Sequence, residues 1–219
     1  MGCPITPIAQ LMPALWKGLM VTVELVVFSA ALAFVLSFIA GFGRLSRIWL
    51  IRLITGIYVE VFRGSSLVVQ LFWMYFVLPL FGLKLSALLM GVLGLGLNFA
   101  AYGAEVVRTS IQAVPRGQTE AAIALNLSRW QRMWRIIVPQ AIRMMIPPFG
   151  NLLIQLVKST SIVSLITVAD LTFQGMVLRS VTMQTAEIFS LLLVLYFIIT
   201  YPLVLAMRWL ERRVSVGRV

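Results

Sequence analysis

Five stretches of this chain are apolar for about 20 residues at a time, near residues 19–43, 64–83, 86–107, 145–167 and 187–208. That is the length a helix needs to cross ~30 Å of hydrocarbon, and no other feature limits the fold as strongly. An unpaired amide in lipid has no water to turn to, so each stretch is expected to close its hydrogen bonds internally as a helix. The expected fold is an all-α integral membrane protein with five transmembrane helices, built as one transmembrane domain over residues 1–219. The balance of 61% apolar to 11% charged residues and a mean hydropathy of +1.00 agree with a chain whose main solvent is not water. No basic segment precedes the first apolar run, and that run is too long for a cleaved leader, so it is expected to remain as an anchor.

The charges give a direction to the bundle. Lys and Arg together number 18 against seven Asp and Glu, an excess that would suit a nucleic-acid partner if it formed a surface. Instead it is confined to particular loops. Arg44, Arg47 and Arg52 follow the first span, Arg108, Arg116, Arg129, Arg132, Arg135 and Arg143 the third, and Arg208, Arg212, Arg213 and Arg218 the fifth. Lys17, Lys84 and Arg179 fall on the other side, so thirteen basic residues oppose three. By the positive-inside bias the N-terminus is expected outside and the C-terminus in the cytoplasm, with nucleic acid no partner. The segment from Ser46 to Arg63, Arg mixed with aromatic and aliphatic residues, is expected along the cytoplasmic interface.

Several chemistries are excluded by what is missing. With no histidine and one cysteine, Cys3, the chain has no means to build a zinc site, a Ser/His or Cys/His nucleophile or an intramolecular disulfide. No GxxxxGK[ST] phosphate loop occurs, and Gly94-x-Gly96 lacks the third glycine and the preceding strand of a dinucleotide fingerprint. The chain is expected not to be an enzyme and to hold no metal or cofactor. The small residues Gly91, Gly94, Gly96, Ala100, Ala101, Gly103 and Ala104 of the third span instead suit close helix packing in lipid.

The most informative segment joins spans three and four. Pro115 and Gly117 are expected to break the membrane helix. Glu120 to Leu125 then reads as a short helix with an acid in its first turn, where the macrodipole favours it. Asn126 suits the left-handed geometry that stops a helix, and Ser128-x-x-Gln131 reads as a capping box opening a second helix, expected to end near Val138 because Pro139 follows. Two readings of this helix-turn-helix stay open. It is a solvated hairpin on the membrane surface, or Ala121 and Ala122 let it seat in a groove of a second protein, with Glu120 fixing the register.

Glu120-Ala121-Ala122, the turn at Asn126 and Ile136-Ile137-Val138-Pro139 together resemble the EAA loop of ABC importer permeases. Asn126 stands where that family usually has Gly, and Val138 where it has Leu. The resemblance extends to Tyr58 through Gln70, to Ala101-Tyr102-Gly103-Ala104-Glu105 with Arg108, to Gln112 through Gln118, and to Tyr201-Pro202-Leu203. It covers about residues 18–213 and is similar to the polar amino acid branch, within it to ectoine and hydroxyectoine permeases. Ser159 departs from the Asp or Asn of many relatives. The resemblance implies a bacterial inner-membrane permease subunit, with Gly117, Glu120, Ala121, Ala122 and Asn126 coupling it to a separate ATPase dimer that binds ATP and Mg. It also implies a second permease subunit, identical or paralogous, and an external solute-binding protein.

Polar residues inside the bilayer are the remaining candidates. Asn151, Gln155 and Lys158 are spaced four and three apart, on one face of the fourth span, with Ser161 beyond them. A lysine there costs about 2.5–3.5 kcal/mol on insertion scales. The face serves either as interhelical glue or, with Ser161, as a translocation path. Glu60 and Arg63, three apart, are expected to satisfy each other as a structural pair. The rival class, an ion-gradient transporter or channel with no ATPase, is expected to show inverted repeats or midplane carboxylates, and the sequence shows no clear repeat.

Overall fold

The computed structural model describes residues 8–215; Cys3 and Arg218 lie outside that range. Every element in it is helical: α1 Ile8–Arg44, α2 Trp49–Gly64, α3 Leu67–Phe72, α4 Ala87–Gln112, α5 Arg116–Ala124, α6 Arg129–Arg132, α7 Val138–Ser159, α8 Leu171–Thr182 and α9 Thr185–Ser215. Four stretches are long and apolar enough to cross a membrane, Met12–Arg44, Ala87–Gln112, Arg129–Ile166 and Thr185–Val214, and the bent pair of α2 with Leu67–Phe81 makes a fifth.

Helix α4 is the centre of the bundle, and its small residues decide how closely α1 approaches. A Cβ placed on Gly103 would lie 2.0 Å from Ser37 Oγ, and one on Gly96 2.6 Å from Leu32 Cδ2. Only glycine permits these contacts, as small residues do wherever lipid gives helices no hydrophobic reason to associate. Ser37 donates to the Ala33 carbonyl at 2.6 Å and reaches the Ala100 carbonyl of α4 at 3.3 Å. Leu25, Ala33, Leu95, Phe99, Ala100 and Leu156 form the main core between α1, α4 and α7. The outer faces of α1 and α9, among them Phe34, Ile39, Leu193 and Phe197, stay exposed, as lipid-facing surfaces do.

One expected boundary is corrected, and the second span is less regular than a single α-helix. Helix α3 passes through a π-helical turn, Trp73–Val77, and a 3-10 turn, Leu78–Phe81, and meets α2 at a bend of 106°. The bend falls at Gly64-Ser65-Ser66, three poor helix formers, where the chain is expected to turn from the Ser46–Arg63 segment into that span. The helix opened by Ser128 does not end at Val138: it runs through a π-turn, Met133–Ile137, directly into α7, and that irregular turn just before Pro139 is the kind of break at which a helix accommodates a residue without an N–H.

Helix α8 lies between the fourth and fifth spans and is tied to α1 and α9. Thr22 donates to the Gly18 carbonyl at 3.0 Å and accepts from the Leu171 N–H at 3.0 Å. Asp170, fully buried, caps α8 by accepting from the N–H groups of Thr172 and Phe173. Its Oδ2 also accepts from Tyr196 at 3.4 Å.

Candidate coupling loop and polar helix face

Helix α5 stands at the end of the bundle where α1 and α4 finish, held by its own caps and by its neighbour. Asn126 takes φ 56°. Its N–H donates to the Ile123 carbonyl at 2.8 Å, and the Leu127 N–H donates to the Ala122 carbonyl at 3.0 Å. These are the two bonds of a Schellman stop. Two residues after Asn126 the expected capping box is complete, with the Ser128 N–H donating to Gln131 Oε1 at 2.9 Å and the Gln131 N–H to Ser128 Oγ at 3.3 Å. Gln140 of α7 donates to Gln118 of α5 at 3.3 Å. A capped turn thus joins α5 directly to the continuous α6–α7 segment.

The side chains of α5 divide in a way the sequence reading did not resolve. The helix starts at Arg116 rather than Glu120, so Gly117 lies inside it and Glu120 in its second turn. Glu120, Ala121 and Gly117 are exposed, whereas Ala122 is fully buried against its own subunit. The expectation that both alanines enter a partner's groove is thus corrected: at about 100° per residue Glu120 and Ala121 flank Gly117 on the outer face, and Ala122 is turned one step further, onto the inner side. Ala124, unmarked by the sequence reading, is exposed with them. Ile123 of the same helix, Leu125 at its C-cap and Trp130 of α6 are exposed at 56%, 72% and 71%. An acidic group beside small side chains on an exposed helix is a surface that a protein groove can accept.

Asn151, Gln155 and Lys158 of α7 are brought together as expected, all exposed along one face of the helix. Ser161 joins them only in part, because its hydroxyl donates to the Lys158 carbonyl at 2.9 Å. The opposite side of α7, with Met145, Phe149 and Leu156, lines an apolar cleft of about 450 Å³ against α1, α4 and α9. A helix with one polar face open and the other turned to apolar neighbours is at a boundary between two environments.

Sequence reasoning missed a second polar cluster at the α2–α3 bend. Gln70 donates to the Phe62 carbonyl at 2.9 Å and to Ser65 Oγ at 2.7 Å. Asn98 of α4, buried, donates to the same Phe62 carbonyl at 3.0 Å and to Gln70 Oε1 at 3.0 Å. Tyr58 donates to the Leu97 carbonyl at 2.7 Å. These amides serve a carbonyl that the broken helix leaves without its usual partner, which is how a membrane protein tolerates a break at depth. The signal was a lone asparagine, Asn98, in the apolar first half of α4. The expected Glu60–Arg63 pair is also corrected. Glu60 pairs with Arg44 at 3.4 Å, and Arg63 lies over the Tyr102 ring at 5.4 Å. The side of α2 bearing Glu60 faces the end of α1, while Arg63 crosses α4. Arg108 makes a two-pronged pair with Glu105, one turn before it, and donates to Gln112 at 2.7 Å.

A wholly helical bundle whose apolar helices can make four or five membrane spans is the architecture of a membrane transport component. The chain belongs to the family of binding-protein-dependent transport system inner membrane components, whose model matches residues 3–216. It is 44% identical over 207 residues to a probable amino-acid ABC transporter permease, y4tF, of Sinorhizobium fredii, covering 92% of this chain and 87% of that protein. It is 36% identical to the glutamine transport system permease GlnP of Escherichia coli K12, over 93% of this chain and 94% of that one. A crystal structure of an amino acid ABC transporter with histidines superposes with a TM-score of 0.91 at 34% identity, over 97% of this chain and all of its counterpart. The methionine transporter MetNI shares the fold at a TM-score of 0.79 and 22% identity, over 94% of this chain and 98% of its counterpart. Permeases of this family are not enzymes and carry no cofactor; the ATP is used by a partner ATPase.

Proposed function

We propose that this chain is the permease subunit of an ATP-driven importer for a polar amino acid or amino-acid-like solute in the bacterial inner membrane. Two such subunits, identical or paralogous, enclose the path, an external binding protein delivers the solute, and a separate ATPase dimer drives the cycle. The N-terminus is outside and α5 is in the cytoplasm, as the thirteen-to-three basic asymmetry supports. The observation that carries this reading is the exposed face of Gly117, Glu120 and Ala121 on a helix capped at Asn126 and joined through the capping box to α6–α7. Closure of the ATPase dimer pushes on that face, and the continuous helix carries the push to the polar face of α7.

The names of the relatives supply the substrate class, and glutamine, cystine and octopine permeases are among them. Ectoine and hydroxyectoine, suggested by the sequence resemblance, belong in the same substrate panel. The deciding experiment is Ala121→Trp in the reconstituted complex. A ring there fills the space a groove must enter, so ATP hydrolysis is expected to continue with solute uptake reduced at least tenfold, at normal yield of inserted permease. Undiminished coupled uptake would sink the coupling role.

A further inference from the structure

A second cleft, of about 660 Å³, opens between the end of α1, the first three turns of α2 and the last turns of α4. Arg44, Arg52 and Arg108 line it together with Glu60 and Gln112, and neither the coupling face nor the polar face of α7 uses them. A guanidinium has five N–H donors. Arg108 commits three of them, to Glu105 and Gln112. Arg44 commits one, at 3.4 Å, to a Glu60 carboxylate whose side chain is 72% exposed, a weak contact by length and by solvation. Arg52 has no carboxylate within ion-pair distance among the described residues. With Arg108 paired to Glu105 and Arg44 to Glu60, the charge of Arg52 is left over, and the unengaged N–H groups of the three guanidiniums have a fork geometry suited to phosphate oxygens.

The other wall is apolar. Trp49, Leu53, Ile57 and Val61 line it on α2 and are exposed at 64%, 39%, 56% and 57%. Between the walls lies Gly56, where an added Cβ would meet only Arg44 Nη1, at 3.8 Å. Free phosphate has no use for an apolar wall, whereas a phospholipid presents its phosphate to the arginines and its glycerol and acyl carbons to the tryptophan and aliphatic side chains. We infer that this cleft holds the headgroup of an anionic phospholipid of the cytoplasmic leaflet. The leaflet rests on the orientation proposed above.

The test uses the complete complex of permease and ATPase in nanodiscs, with phosphatidylglycerol mixed into phosphatidylcholine and retained lipid counted by native mass spectrometry. Phosphatidylglycerol is expected to be retained preferentially by the unaltered complex. Arg52→Gln, which removes charge, and Gly56→Leu, which fills the space but keeps every charge, are each expected to lower that retention by roughly fivefold. Arg179→Gln, on α8, should leave it unchanged. Retention in both cleft variants as high as in the unaltered complex, or no preference for the anionic lipid, would overturn the inference. So would displacement of the lipid by millimolar inorganic phosphate, which would make the cleft a phosphate site. Labelling of Ser46→Cys, in a chain also carrying Cys3→Ser, reports orientation separately. Reaction from the ATPase side supports the cytoplasmic leaflet; reaction from the other side with lipid retention intact would overturn the orientation and leave the lipid site in place.

Discussion

Asn126 occupies a left-handed conformation that asparagine tolerates better than other non-glycine residues, though not as well as glycine. Asn126→Gly is therefore expected to raise the unfolding midpoint slightly or leave it unchanged, and Asn126→Val to destabilise the loop by about 1–2 kcal/mol, read by thermal unfolding in detergent. Lys158 is exposed on α7, and its charge is worth keeping in lipid only if something polar faces it. If that something is the translocated solute, Lys158→Ala should depress uptake far more than it depresses assembly. Normal uptake at normal complex yield would reduce the residue to interhelical glue. The capping residues Asn126, Ser128 and Gln131 were legible from sequence because caps are local. The partners of Glu60 and Arg63 were not, because each side chain chose a neighbour from another helix.

Among the elements, the α2–α3 bend is the least regular and the most dependent on its neighbours. The Phe62 carbonyl takes both the Gln70 and Asn98 amides. Replacing Asn98 with Leu removes one donor to it and leaves Gln70 Oε1 without that partner, at a cost of about 1–3 kcal/mol for a buried group left unsatisfied. A lowered unfolding midpoint with faster proteolysis near Gly64 is the expected outcome, and unchanged stability would mean the bend does not need the amide. The α1–α4 contact is equally specific. Gly103→Ala would place a methyl group 2.0 Å from Ser37 Oγ, and overpacking of this kind typically costs about 1–3 kcal/mol. Reduced yield of folded permease is expected, with partial recovery when Ser37→Ala is added.

For the whole molecule, the polar face of α7 lies open on the single subunit, in keeping with the two-subunit path of the proposed function. With Cys3 replaced by Ser, Gln155→Cys is expected to cross-link one permease to a second when the complex contains two copies of this chain. A failure to cross-link in a complex shown to hold two copies would place the α7 face away from the subunit boundary. The apolar cleft on the other side of α7, lined by Phe34, Phe38 and Phe149, faces away from that polar stripe.

What the sequence determined by itself was whatever depends on neighbours along the chain: the apolar lengths that require membrane helices, the loop charge asymmetry, the glycine and alanine run that brings α4 against α1, and the stop and start around α5. The tertiary structure alone decided the angle of the 106° bend, the continuation of the loop helix through Pro139, the inward turn of Ala122, and the partners of Glu60 and Arg63. Spacing along a helix fixes which residues share a face, but the side on which that face meets another helix is set by packing between segments distant in sequence.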